Sequence, residues 1–211
     1  MSTKVPESPV SPRRLHALVL GAGRGSRFGG GKLLAPYRSG LVIEGALAAA
    51  FAAPVEAVTL TVGCDGAAVA AAARVFAARV GETGRLRIVE VPDWADGMSA
   101  SLRRGVAALP DEAEGVFVFL GDMPRVSAKV TAALAEALRG DVVATVPSFG
   151  GRQGHPALLG KALFGEIGGL TGDRGARGLL DAHAARVVEV DSPDDGVLFD
   201  IDAPADLTRA P

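Results

Sequence analysis

The chain has 211 residues, 48% hydrophobic but only 5% aromatic, with 28 glycines, 38 alanines and a formal net charge of −2, a balance that excludes a disordered chain. Its 22 basic residues are offset by 24 acidic ones, which argues against nucleic-acid binding by bulk charge. The glycines follow no three-residue period, so a collagen-like rod is excluded, and the lone cysteine, Cys64, excludes a disulfide framework and a cysteine-based zinc cage.

In chain order, residues 1–14 (MSTKVPESPVSPRR) predict a disordered arm, rich in Pro and Ser and without the apolar core of a signal peptide. Residues 15–211 predict one domain, with no internal repeat or linker. Leu15–Leu20 reads as a first buried strand, followed by the Gly-rich loop Gly21–Gly31. Leu41–Ala52 reads as a helix, Val58–Val62 as a strand, Gly66–Val80 as an Ala-rich helix and Leu86–Val91 as a third strand. Met98–Leu109 predicts a helix, Val116–Leu120 the most deeply buried strand, and Ser127–Arg139 a helix with Ser127 as N-cap. Val142–Val146 predicts a strand, and residues 160–184 a mostly helical stretch interrupted by glycines. Val187–Val190 and Val197–Ile201 read as late short strands, and Asp202–Leu207 opens a last short helix with Pro204 in its first turn. Strands alternating with helices predict an α/β fold, Rossmann-like, with three α/β/α layers and a mostly parallel sheet. Ligands in such folds sit beyond the carboxyl ends of the strands. No stretch reaches about 18 uninterrupted apolar residues, so no membrane span is expected and the chain reads as soluble and cytoplasmic.

The loop after the first strand carries six glycines in the 11 residues Gly21–Gly31, plus Arg24, Arg27 and Lys32, with no acidic residue among them. Glycines there let backbone N–H groups approach a ligand closely and form an anion-binding nest. Lys32 stands out in a chain with 18 Arg and four Lys. The loop is not a P-loop, because Ser26 stands where the first glycine belongs and Leu33 where the hydroxyl belongs. It is not the dinucleotide fingerprint either, because Ser26 replaces the last glycine.

Carboxylates suited to Mg²⁺ occur at two places. Asp122 ends the buried strand Val116–Leu120, opposite the basic loop, where one or two carboxylates plus substrate phosphates would bind the ion. Near the C-terminus, strand alternation would put Asp200 and Asp202 on one face. Gly97, Ser99 and Ser101 form a turn into a helix whose N-terminus suits an anion or a base edge. His155 sits between turn-formers after the strand ending at Val146, and Arg174 and Arg177 lie in a third glycine cluster, Gly169–Arg177. Cys64 reads as a small buried residue.

Leu18–Lys32 resembles the L-x-A-G-G/x-S-x-R-M-G-x-x-K signature of MobA-like nucleotidyltransferases, with Gly21 and Phe28 as departures. Gly121-Asp122-Met123-Pro124 resembles the family's G/C-D-x-P motif, and Phe199–Leu207 its D/N-I-D/N-T-P-E-D-L ending. Three further stretches resemble the molybdenum cofactor (molybdopterin) cytidylyltransferase subgroup: Gly97–Gly105 (G-M-S-x-S-L-x-x-G), the G-x-x-G-H-P run around His155, and the L-x-G-D-x-G-A-R run of Leu170–Arg177.

The resemblance implies a nucleotide-diphospho-sugar-transferase-like fold and nucleotidyl transfer. An acceptor phosphate attacks the α-phosphorus of CTP, or of GTP, and pyrophosphate leaves. It implies Arg27, Lys32 and Asp122 as catalytic residues, and Leu20, Gly21, Ala22, Gly23, Arg24, Gly25, Ser26, Lys32, Gly97, Ser99 and Ser101 against the nucleotide. It implies His155, Arg174 and Arg177 against the acceptor, and Mg²⁺ on Asp122 with Asp200 or Asp202. Molybdenum-molybdopterin is the implied acceptor, with transient contact to a molybdoenzyme or its chaperone and with no nucleic-acid or membrane partner. A guanylyltransferase, a sugar-phosphate nucleotidyltransferase and a non-catalytic nucleotide-binding regulator stay open as alternatives.

Overall fold

In the computed structural model, which describes residues 13–208, the first strand divides its side chains between two cores. β1 (Leu15–Gly21) turns Ala17 and Val19 to one apolar cluster and Leu18 to the other, as period-two alternation requires. A small hairpin that the sequence pattern does not signal, β2 (Pro36–Tyr37) and β3 (Gly40–Leu41), follows the Gly-rich loop. Next come α1 (Val42–Ala52), β4 (Val58–Val62), α2 (Gly66–Arg79), β5 (Leu86–Glu90), α3 (Met98–Ala107), β6 (Gly115–Leu120) and α4 (Ala128–Ala137), all close to their expected bounds. Ser127 caps α4 by accepting the Lys129 N–H at 3.3 Å. The chain continues through β7 (Ala144–Phe149), β8 (Arg152–Gln153), β9 (Ala157–Gly160), α5 (Phe164–Ile167), α6 (Arg177–Ala182) and β10 (Val187–Asp191).

The main sheet runs β10-β7-β9-β6-β1-β4-β5, with β8 paired to β7. β5, β4, β1 and β6 are mutually parallel, and β10 is parallel to β7; β9 and β8 are antiparallel to their neighbours. α1, α2 and α4 pack into one cluster, and α3, α5 and α6 into the other, giving three layers. The chain leaves β1 for β4 on one side and later returns through β6 on the other. Such a reversal opens a crevice at the strands' carboxyl ends, here beside Leu20 and Leu120.

Several expectations are corrected. Residues 168–176 are not helical: glycines at 168, 169, 172 and 175 interrupt the chain, and Gly172 and Gly175 take φ of 74° and 53°. Val197–Ile201 is not a strand but a 3-10 turn, Asp195–Leu198, followed by irregular chain. Its backbone groups are taken crosswise, with the His155 N–H donating to the Val197 carbonyl at 2.9 Å and the Ile201 N–H to the Asp122 carbonyl at 3.0 Å. Asp200 and Asp202 are therefore not set on one face by strand alternation. β7 starts and ends later than Val142–Val146, and Cys64 is half-buried rather than buried. Most of the expected N-terminal arm, residues 1–12, lies outside the described residues. Arg14, its last residue, is tied down by the Glu114 carboxylate at 2.8 Å and the Glu56 carboxylate at 3.0 Å.

Small side chains set the helix–sheet spacing. Ala46, Ala49 and Ala50 of α1 and Ala70 and Ala73 of α2 are all buried. Gly45 lies against Pro124, and a Cβ there would stand 2.4 Å from the Pro124 Cβ and 2.8 Å from its Cα and carbonyl oxygen. Alanine is the better helix former by about 1 kcal/mol. Gly45→Ala is nonetheless expected to destabilise, by about 1–3 kcal/mol in urea titration, because overpacking must move the backbone of the turn after β6. An unchanged midpoint would show that this contact is soft.

Candidate active site

The site is built where β1 and β6 end side by side. Beyond Gly21 the loop folds into two 3-10 turns, Ser26–Phe28 and Lys32–Leu34, separated by left-handed Gly29, Gly30 and Gly31 with φ of 91°, 99° and 63°. Residues with a Cβ seldom adopt those angles, which accounts for the glycine run. The Lys32 stem packs against Gly25, where an added Cβ would meet the Lys32 Cβ at 3.0 Å.

The Lys32 ammonium lies 2.5 Å from Asp122 Oδ2 and 3.4 Å from Asp202 Oδ1, and Arg27 Nη1 lies 2.9 Å from Asp202 Oδ2. Two basic residues of the loop thus draw together carboxylates 80 positions apart in the chain. The Lys32 side chain is only 12% exposed and that of Arg27 82%, so the Lys32 contacts act in the lower dielectric. Asp122 is held through its carbonyl by the Ile201 N–H. Asp202 is set by Asp206, whose Oδ2 accepts the Asp202 and Ala203 N–H groups at 3.0 and 2.8 Å as the 3-10 turn Pro204–Thr208 begins. Burial pushes the Asp200 carboxyl above its usual range, and the Asp202 and Asp122 charges push it further. The three carboxylates therefore share one electrostatic field, with Lys32 opposing them.

Among the described residues no group of three His, Cys, Asp or Glu side chains could cage a metal ion. Asp122 and Asp202 do present oxygens to a single cationic atom, the Lys32 Nζ. That donor set fits an ion completed by substrate phosphates, the usual habit of Mg²⁺.

Beside this cluster opens a cavity of about 430 Å³, within the range of small-molecule sites. It is lined by Leu20, Gly21, Ala22, Gly23, Arg24, Gly25 and Ser26 of the loop, by Lys32 and Asp122 of the charged cluster, and by Trp94, Gly97, Met98, Ser101 and Asp173. The sequence profile of the MobA-like NTP transferase domain matches residues 17–187. The chain belongs to the MobA-like NTP transferase family. Its activity is accordingly that of a nucleotidyltransferase. The architecture is the nucleotide-diphospho-sugar transferase fold.

Two curated relatives span almost the whole chain. Nicotine blue oxidoreductase of Paenarthrobacter nicotinovorans is 28% identical over 91% of this chain and 94% of its own. The molybdenum cofactor cytidylyltransferase of Escherichia coli K12 is 25% identical over 93% and 95%. Among solved structures, Rv0371c of Mycobacterium tuberculosis H37Rv in complex with manganese is 26% identical, with a TM-score of 0.69 over 86% of this chain and 89% of its own.

The remaining candidate residues of this MobA-like transferase do not line this cavity. Ser99 does not line the cavity; it is fully buried, its N–H bonded to the Gly172 carbonyl at 3.1 Å and its hydroxyl without a partner among the described residues. Asp200 lines a second cavity, of about 340 Å³. His155 lines neither; its Nδ1 is buried without a partner among the described residues, and burial lowers its pKa, partly offset by the nearby Val118 backbone, so it stays neutral at pH 7. Its backbone N–H ties the chain before β9 to Val197. Arg174 and Arg177 are exposed and line neither cavity, and Arg174 faces Asp181 at 3.7 Å.

Two wall residues escape sequence reasoning. Trp94 carries the Arg24 guanidinium 5.5 Å above its ring. Asp173 belongs to the third glycine cluster, whose arginines draw attention as anion binders; it is the acid that reaches the cavity.

Proposed function

We propose that this transferase moves a cytidylyl group from CTP to the phosphate of molybdenum-molybdopterin, in the cytoplasm and with Mg²⁺. The observation that carries the reading is the Lys32 ammonium between Asp122 and Asp202 beside a 430 Å³ cavity lined by glycine backbone. An acceptor phosphate oxygen attacks the α-phosphorus of CTP. A new P–O bond forms as the bond from the α-phosphorus to the bridging oxygen breaks, and that oxygen leaves with the electron pair as pyrophosphate. The nucleophile is already anionic, so no strong general base is needed and positioning plus charge neutralisation supply the catalysis.

The backbone of Gly21–Gly25 cradles the nucleotide, and Lys32, Arg24 and Arg27 offset triphosphate charge. Asp122, with Asp202, would hold Mg²⁺, which would supply further charge neutralisation on the phosphates. With the phosphates at Lys32, the base would lie against Trp94 and Asp173, which line the same cavity. There the Asp173 carboxylate accepts the cytosine amino group, a pairing that uracil cannot make. Asp173→Asn is expected to lower the CTP-over-UTP ratio of kcat/KM at least about tenfold. An unchanged ratio places the base elsewhere.

The direct experiment is pyrophosphate release from CTP, GTP, UTP and ATP, with molybdenum-molybdopterin and with sugar phosphates as acceptors. Release with CTP and molybdopterin supports the reading. GTP preference makes it a guanylyltransferase, sugar-phosphate turnover changes the acceptor class, and nucleotide binding without release makes it a regulator. The 28% identity to an oxidoreductase calls for a nicotinamide arm in the same assay. Here α1 begins only at Val42, far beyond the Gly-rich loop, so no helix N-terminus follows β1 directly to receive a dinucleotide pyrophosphate.

A further inference from the structure

Asp173 reaches the 430 Å³ cavity from residues 168–176, a stretch of turns with no helix or strand to hold it. Gly172 and Gly175, at φ of 74° and 53°, permit those turns but do not anchor them. The anchorage comes from α3. Ser99 and Arg103 stand four positions apart and so share one face of that helix. The Ser99 N–H donates to the Gly172 carbonyl at 3.1 Å, and Arg103 Nη1 donates to the Leu170 carbonyl. Among the described residues these two hydrogen bonds join residues 168–176 to α3. Leu170 adds apolar packing on the cluster that holds α3 and α5.

The same guanidinium holds a second segment. Arg103 Nη2 pairs with Asp93 Oδ2 at 3.2 Å. Asp93 directly precedes Trp94, which lines the cavity and is seated on Gly63, where an added Cβ would stand 2.6 Å from the Trp94 Cβ and Cγ. A planar guanidinium presents its N–H donors in a fixed fork, so one Arg sets the spacing of two acceptors; a lysine ammonium on a flexible stem does not. The Arg103 side chain is 27% exposed, which shelters both bonds in part from water. Arg103 does not itself line the cavity. It joins two segments that do, one through Asp93 to Trp94 and the other through Leu170 to Asp173.

We propose that Arg103 is a positioning residue for nucleotide selection: it clasps residues 170–173 to the turn at Asp93 and Trp94, and so fixes the part of the cavity that meets the base. It touches neither the nucleotide nor the reacting phosphates and acts through Trp94 and Asp173. Without the clasp, the Leu170 carbonyl loses its donor and Asp93 its cation, and the Gly172 bond alone is left to join residues 168–176 to α3. This rests on the base lying against Trp94 and Asp173.

The test is calorimetric binding of CTP, UTP and inorganic triphosphate, each with Mg²⁺. Arg103→Ala is expected to raise the Kd for CTP at least about tenfold while leaving the Kd for triphosphate, which has no base, within about twofold. Its preference for CTP over UTP is expected to fall, and the double variant with Asp173→Asn is expected to show the same preference as Asp173→Asn alone, because the clasp and the carboxylate act as one unit. Arg103→Lys, which keeps the charge but not the fork, is expected to lie between wild type and Arg103→Ala, and it carries the test if the alanine variant does not fold. Normal CTP binding in both Arg103 variants would overturn the proposal. CTP and triphosphate weakened alike would also overturn it, because Arg103 would then only stabilise the fold. Selective loss of CTP in Arg103→Ala beside unchanged CTP affinity and preference in Asp173→Asn sinks the reading of Asp173 alone. A normal Arg103→Ala beside a defective Asp173→Asn sinks the clasp alone.

Discussion

Asp122→Asn is expected to lower turnover by about 10²-fold or more, with little change in thermal stability. The carboxylate lies at the end of a buried strand, with Lys32 at 2.5 Å and its backbone already held by the Ile201 N–H. Asparagine keeps the shape and the backbone bond but removes the charge that balances Lys32 and that we propose faces Mg²⁺. The loss is expected in kcat, because neutralisation matters most as charge shifts to the leaving pyrophosphate. Steady-state kinetics across a Mg²⁺ titration checks this. Near-normal Mg²⁺-dependent turnover in the variant would remove Asp122 from the metal site.

Lys32→Ala is expected to act through the same cluster with the opposite sign of charge. Without the ammonium, Asp122, Asp202 and Asp200 face one another with only the largely exposed Arg27 to offset them. Triphosphate binding and turnover are expected to fall, with kcat/KM lower by about 10²-fold. Divalent-ion affinity of the free enzyme is expected to rise, because the cation that occupies the carboxylates is gone. Manganese titration followed by electron paramagnetic resonance reads the second effect. Lys32→Arg is expected to rescue poorly, since Gly25 is packed on the lysine stem and a planar fork does not replace a compact point charge. Unchanged kcat/KM together with unchanged metal affinity would make the Gly-rich loop a structural turn.

The parts of the molecule legible in the sequence are those where local chemistry and long-range structure agree. β1, β4 and β6 are short apolar runs bounded by glycine, and they pair where such runs must be buried. Lys32 and Asp122 were visible because basic charge, glycine and a carboxylate all fall at strand ends, where α/β sheets bind ligands. Val197–Ile201 misleads because its apolar pattern matches a strand while its backbone groups serve Asp122 and His155. β9 is hidden because Ala157–Gly160 runs on into Ala162 and Leu163, and periodicity cannot separate a four-residue strand from the start of a helix. Asp173 was invisible for a different reason. Its place on the cavity wall depends on a non-helical loop that brings residues 172–173 against Gly97, where a Cβ would meet Asp173 Oδ1, and no local pattern encodes that contact.

The central claim is that the Lys32–Asp122–Asp202 cluster transfers a nucleotidyl group to a phosphate acceptor. The most direct measurement is mass spectrometry of the product formed from CTP and molybdenum-molybdopterin, with pyrophosphate counted in parallel. A cytidine-linked acceptor made in one-to-one proportion with pyrophosphate, and lost in Asp122→Asn, is the expected result. An unmodified acceptor with no pyrophosphate under every nucleotide and divalent ion, or an equal yield from the variant, would contradict the claim.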